Sequence, residues 1–174
     1  FPVYEKRYPV EIYFRLFASK YLPKTIDKIL YLDVDTVVIN SLNELYNMDF
    51  ENNLFIGATH IGKGLHKFHS LRFRVNKKNI YVNTGVLLMN LKELRNISVE
   101  KEVIDFVKKN KNKLMLPDQD IIYALYGDRV KKVSSLLYNL GDKELRVHHL
   151  CKNDKIDINW IKKNTVVIHY YGRN

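Results

Sequence analysis

Three short groups of residues have the types and spacing to do chemistry. Asp33-Val34-Asp35 sets two carboxylates one residue apart, directly after the β-prone run Lys28-Ile29-Leu30-Tyr31-Leu32. Alternate residues of an extended chain point to the same side, so both carboxylates can reach one small volume past the end of a strand. Like charges held that close repel unless a cation lies between them. Oxygen ligands suit Mg²⁺ or Mn²⁺, which keep positions open for substrate phosphates. His169 follows a second strand-like run, Thr165-Val166-Val167-Ile168, and an imidazole as third ligand tilts the preference toward Mn²⁺. Asp118-Gln119-Asp120 offers two carboxylates and an amide to sugar hydroxyls. Spacing alone leaves plainer readings open: a solvated strand-to-turn junction, a hydrogen-bonded strand-end histidine, and acidic residues complementing a helix dipole.

The surrounding pattern predicts the elements that must position these groups. Val10, Tyr13, Phe14, Phe17 and Tyr21 recur at helical spacing between Pro9 and Pro23, which predicts a helix over 9–21. Strands are expected at 28–32, 36–39, 54–58, 130–133 and 165–168, with Asp33 and Asp35 where the first ends. Ile80-Tyr81-Val82 and Val86-Leu87-Leu88-Met89 flank Asn83-Thr84-Gly85 and read as one strand interrupted where backbone approaches something closely. Helices are expected over 42–47 with Ser41 as cap, over 91–95 and 99–109, and after Pro117 with acids in the first turn. His60, Gly62, Gly64, His66 and His69 read as a polar loop, and the last third as irregular. Mixed strands and helices with polar residues at strand ends indicate an α/β fold that binds ligands beyond the strands' carboxyl ends.

Composition bounds the rest. The chain has 174 residues, 46% of them hydrophobic, with only 7 Gly and 4 Pro, and shows neither a linker nor an internal repeat; one domain over 1–174 is expected. The net charge of +10 points to an anionic partner: a phosphorylated small molecule, a membrane surface or a nucleic acid. The dense run Lys108 to Lys113 reads as a solvated helix end. Cys151 is the lone cysteine and fits a reducing compartment. No apolar stretch approaches the ~20 residues of a membrane helix.

Tyr13-Phe14-Arg15-Leu16, Lys28 to Asp35, Asn83-Thr84-Gly85-Val86-Leu87-Leu88-Met89-Asn90-Leu91, Asp118-Gln119-Asp120 and His169-Tyr170-Tyr171-Gly172 occur in an order that resembles family 8 glycosyltransferases. The resemblance spans nearly the whole chain. It implies a retaining enzyme with a GT-A-type, Rossmann-like mixed sheet flanked by helices, here incomplete at the N-terminus. By the same resemblance Asp33, Asp35 and His169 match Mn²⁺ (or Mg²⁺) ligands, the metal bridging the phosphates of a UDP-sugar. Arg15, Asn83, Gly85 and Gly172 match donor contacts, Asp118 a carboxylate holding sugar hydroxyls, and Gln119 an amide beside the anomeric carbon. Asp118 and Gln119 are therefore the candidate catalytic residues, and Asp33 shares in donor binding.

The implied reaction moves glucose or galactose from a UDP-sugar to a glycan or lipid-linked acceptor, as in bacterial cell-envelope synthesis. The expected location is cytoplasmic, peripheral at the inner face of an anionic membrane, with no nucleic-acid partner. Three departures qualify the resemblance. The nucleoside-binding βαβ portion that normally comes first does not precede Phe1, no Lys-Pro-Trp element follows Gly172, and His60 stands where an aspartate often contacts sugar. The expectation is a fragment of a larger enzyme. A degenerate, non-catalytic sugar-nucleotide binder is the alternative. Leu32 to Val37 also fits the opening of a haloacid-dehalogenase-type phosphatase, with Asp33 as nucleophile and Asp35 as acid/base, although the Asn-Thr-Gly and His-x-x-Gly groups have no place there.

Overall fold

The computed structural model describes residues 10–59, 63–151 and 156–171. Its strands are β1 (Lys28–Leu32), β2 (Thr36–Val38), β3 (Phe55–Ala58), β4 (Val86–Asn90), β5 (Val130–Val133) and β6 (Val167–His169). Four form a mixed sheet in the order β1-β4-β3-β5, antiparallel at both edges of β4 and parallel between β3 and β5. β2 and β6 make a separate antiparallel pair. The helices are α1 (Ala18–Tyr21), α2 (Asn43–Tyr46), α3 (Lys63–Phe73), α4 (Leu91–Leu94), α5 (Val99–Asn110), α6 (Pro117–Tyr126), α7 (Ser135–Tyr138), α8 (Asp142–Cys151) and α9 (Ile158–Asn164).

β4 explains the layering. Val86, Leu87, Leu88 and Met89 are all buried, the continuous apolar run expected of a strand covered on both faces. Alternation sends Leu87 and Met89 into one core with Phe55, Ile121 and Ile122, and Val86 and Leu88 into the other with Ile56 and Val167. The first core seats α6, which begins with Pro117 at a position where its missing N–H costs nothing. The second seats β6 and hence His169.

Several expected elements differ in instructive ways. Residues 10–17 wind as a 3-10 helix that continues into α1, with Leu16, Phe17 and Ser19 buried while Phe14 and Tyr21 face solvent. Ile80-Tyr81-Val82 is not strand. The flanking Ile80 N–H bonds to Gly127 O and the Asn83 N–H to Ala58 O, so the backbone is committed outside any ladder. Ser41 accepts from Asn43 N–H at 3.3 Å but stands one residue outside α2, whose cap position is Leu42.

The supposed polar loop contains α3. Its inward face carries His69 and Ser70, both buried, together with Arg72, while Leu65, Phe68 and Leu71 are exposed. The apolar stripe therefore faces away from the core, which defeats a search by hydrophobic periodicity. The last third is also more regular than expected, with α8 and α9. His60, Gly62 and Gly172 lie outside the described residues.

Candidate active site

The site forms where the two sheets meet end to end. Past β1, Asp33 N–H still donates to Gly85 O at 2.8 Å, and the chain then turns, with Asp33 O accepting from both the N–H and the hydroxyl of Thr36. Asp33 and Asp35 thus lie in a turn rather than in the extended segment expected, and Val34 at its tip is fully exposed. β2 leaves the turn and pairs with β6, Thr36 opposite His169, while Tyr170 N–H donates to Asp35 O. That register brings residues 134 positions apart into contact: His169 Nε2 is 3.0 Å from Asp35 Oδ1 and 3.9 Å from Asp33 Oδ2.

One ligand atom from each of Asp33, Asp35 and His169 lies within 4.8 Å of the others. Two carboxylate oxygens and an imidazole nitrogen suit a divalent ion of the Mn²⁺ type. Octahedral ligands at ~2.1 Å from an ion sit roughly 3 Å apart when adjacent, a spacing the His169–Asp35 pair already has. Gly85 is required by this convergence. A Cβ there would lie 2.1 Å from His169 Cε1 and 2.7 Å from Asp33 Oδ2.

Asp33 is held by one oxygen and offers the other. Its Oδ1 accepts from Tyr31 OH at 2.9 Å and pairs with Arg15 at 3.1 Å, leaving Oδ2 toward His169. Burial, reinforced by the bond to Asp33 and opposed by Arg15, pushes the Tyr31 hydroxyl up to about 12, so it stays a donor. Arg15 stacks on the Tyr31 ring at 4.3 Å and reaches on to Asp118 Oδ2 at 3.1 Å and Thr84 O at 3.2 Å. Asp118 is 3% exposed and also accepts from the Thr84 hydroxyl at 2.6 Å. Burial pushes its carboxyl up, against the pull of Arg15 and then of Thr84. Arg15 thus pairs with two carboxylates, Asp33 and Asp118, while Asp35 faces His169; three acids gathered beside one guanidinium favour a bound cation.

The structure brings together Arg15, Asp33, Asp35, Gly85, Asp118 and His169. Asn83 is buried beside them, its Oδ1 accepting from Gly85 N–H at 2.8 Å, so it shapes the glycine turn. Gln119 follows Asp118 on α6, and its Oε1 is buried without a hydrogen-bond partner among the described residues. Sequence reasoning missed Tyr31, Thr84 and Asn139. Tyr31 and Thr84 lie inside the quoted motifs and were legible as neighbours of Asp33 and Asn83. Asn139, whose Oδ1 lies 2.8 Å from His169 Nδ1, follows a stretch with no motif at all.

A family model described as glycosyl transferase family 8 matches residues 1–174. The chain belongs to that family, and its mixed sheet flanked by helices is of the GT-A type. It is similar to a lipopolysaccharide 1,2-glucosyltransferase of Escherichia coli, 30% identical over an alignment of 172 residues that covers 95% of this chain and 49% of that protein. A lipopolysaccharide 1,3-galactosyltransferase of Salmonella typhimurium is 24% identical over 96% of this chain and 49% of its own length. The crystal structure of the galactosyltransferase LgtC in complex with donor and acceptor sugar analogues superposes with a TM-score of 0.77 at 27% identity, covering 99% of this chain and 62% of LgtC. The chain thus spans about half the length of the curated relatives it matches. The family assignment leaves the phosphatase reading without support.

Proposed function

We propose that this chain carries the metal and sugar half of a retaining glycosyltransferase that moves glucose or galactose from a UDP-sugar to a glycan or lipid-linked acceptor. The observation that carries the reading is the junction of the Asp33, Asp35 and His169 cluster with the Arg15–Asp118 pair. A divalent ion held by the first three residues would stabilise charge on the departing diphosphate. Arg15, fixed between Asp33 and Asp118, supplies a second preorganised positive charge near the same place. Asp118, bonded to Thr84 and Arg15, is set to receive sugar hydroxyls, and Gln119 has a buried amide oxygen still to be satisfied.

The test is UDP release from a panel of UDP-sugars with and without Mn²⁺. Wild type should release UDP only with the metal, and Asp35→Ala should release none. Metal-independent release would sink the reading. Donor binding without release would favour the degenerate binder instead.

The same proposal places the enzyme at an anionic membrane surface. No Asp or Glu occurs between Glu51 and Glu93, and α3 exposes Leu65, Phe68 and Leu71 beside exposed Lys67, Arg74, Lys77 and Lys78. An apolar stripe flanked by cations suits insertion at a lipid headgroup boundary. No helix among the described residues is long and apolar enough to cross a membrane. Co-sedimentation with phosphatidylglycerol vesicles should be strong at low salt and weaken for Phe68→Ser. Equal sedimentation with neutral vesicles would reject the assignment.

A further inference from the structure

Asn139 lies wholly outside the motifs, yet it is completely buried against the ring of His169. It ends α7 in a non-helical conformation, and the residue after it, Leu140, is fastened to β6. Leu140 N–H donates to Val167 O, and His169 N–H donates back to Leu140 O at 2.8 Å. The backbone therefore fixes the height of Asn139 relative to the imidazole. Tyr171 closes the ring from another side, its centroid 4.8 Å away in an edge-on contact. Gly85 leaves no room on a further side. The imidazole cannot tilt away from its two nitrogen partners.

Those partners decide which nitrogen carries the proton. Asn139 presents Oδ1 to Nδ1 at 2.8 Å, and an amide oxygen only accepts. In this orientation of the amide Nδ1 carries the proton of a neutral ring, and Nε2 turns its lone pair toward Asp35 Oδ1 at 3.0 Å. A lone pair facing a carboxylate at that distance is repulsive with nothing between them, and favourable around a cation. The opposite orientation of the Asn139 amide would place Nδ2 against Nδ1, put the proton on Nε2 and let it bond to Asp35, closing the site. Asn139 Nδ2 has no hydrogen-bond partner among the described residues, so its other contacts supply no hydrogen bond that would hold the amide one way. The His169 tautomer and the amide orientation are thus one coupled choice.

We propose that Asn139 is a positioning residue that selects the Nδ1–H tautomer of His169 and so aims Nε2 at a divalent cation shared with Asp33 and Asp35. The proposal rests on the metal reading of the site. Orientation of a ligating histidine by a hydrogen bond to its other nitrogen affects affinity by roughly 10–100-fold when the partner is removed. The same mechanism predicts that any acceptor of similar reach will serve, and that a side chain of similar size without an acceptor will not.

Mn²⁺ affinity, measured by calorimetry on wild type, Asn139→Leu and Asn139→Asp, tests this without recourse to turnover. Asn139→Leu should bind roughly 10–100-fold more weakly, and Asn139→Asp, which keeps the acceptor, within about threefold of wild type. Long-range ¹H–¹⁵N correlation of the His169 ring should show Nδ1–H in wild type loaded with Mg²⁺. If wild type binds no Mn²⁺, the metal reading itself falls. If it binds and Asn139→Leu binds equally, only the role of Asn139 falls. An Nε2–H ring in the Mg²⁺-loaded wild type would overturn the proposal even if the leucine variant failed to fold.

Discussion

Asp118 and Asp120 stand two residues apart in the first turn of α6, and both are buried, yet they serve opposite sides of the helix. Two residues turn an α-helix by about 200°. Asp118 meets Arg15 and Thr84 at the strand ends. Asp120 faces α3, where it pairs with Arg72, accepts from Tyr81 OH at 3.0 Å, and receives the N–H groups of Met115 and Leu116 at 2.7 and 3.1 Å. The partners of Asp120 belong to the fold itself: an ion pair, a phenol and two backbone amides. Those of Asp118 belong to a cluster with more negative than positive charge. Identical side chains in one helical turn thus separate into a fastening and a member of the candidate site, and the difference lies in what remains unsatisfied around each.

The largest effect should follow from cutting the fastening. Asp120→Ala leaves Arg72 buried without its carboxylate and two amides without their acceptor, which costs about 3–5 kcal/mol when one member of a buried pair is removed. Urea unfolding followed by circular dichroism should show that loss; a change under 1 kcal/mol would mean that Asp120 is not structural. A smaller effect on stability, joined to a loss of function, should follow on the other side. Gly85→Ala pushes a Cβ against His169 and Asp33, and displacing reacting groups by about an ångström costs on the order of 100-fold in rate. Mn²⁺-dependent UDP release should fall by that order, and overpacking against the buried ring should lower stability by about 1–3 kcal/mol. Retained release would show that the cluster has room that its geometry denies.

The contrast also separates what could be read from the sequence from what could not. Asp33, Asp35, Gly85, Asp118 and His169 were legible because each sits at the end of an apolar run or in a short motif, and strand ends are where α/β sheets bind ligands. Their convergence differs in its cause from the expectation, since a turn and the β2–β6 register bring Asp33 and Asp35 to His169 rather than strand alternation. The fastening was invisible. The sequence groups Asp120 with Asp118 as sugar-facing carboxylates, because nothing in it says that α3 exists. Its inward residues His66, His69 and Arg72 are polar, and its exposed face is the apolar one. Asn139 was hidden for a related reason: a buried amide whose purpose is one bond to a distant histidine leaves no periodic trace.

The finest test of the comparison concerns pH. Burial raises the Asp118 carboxyl above its ordinary value of 3.8, the pull of Arg15 and Thr84 notwithstanding. A raised folded value means that the native state holds this proton at a pH where the unfolded chain has lost it. The stability contributed by the protonated form is then fully present below 3.8 and is lost as pH rises through the folded value. Asp118→Asn keeps a neutral side chain of the same shape at every pH. Relative to wild type, it should gain stability from pH 3.5 to pH 7 in metal-free buffer, measured by paired urea titrations, while losing UDP release. Asp120→Asn supplies the contrast, since replacing a saturated carboxylate beside Arg72 should lower stability at neutral pH. If Asp118→Asn instead lost ground to wild type as the pH rose, the ionised carboxylate would be a net anchor for Arg15, and Asp118 would join Asp120 as a fastening rather than stand as part of the site.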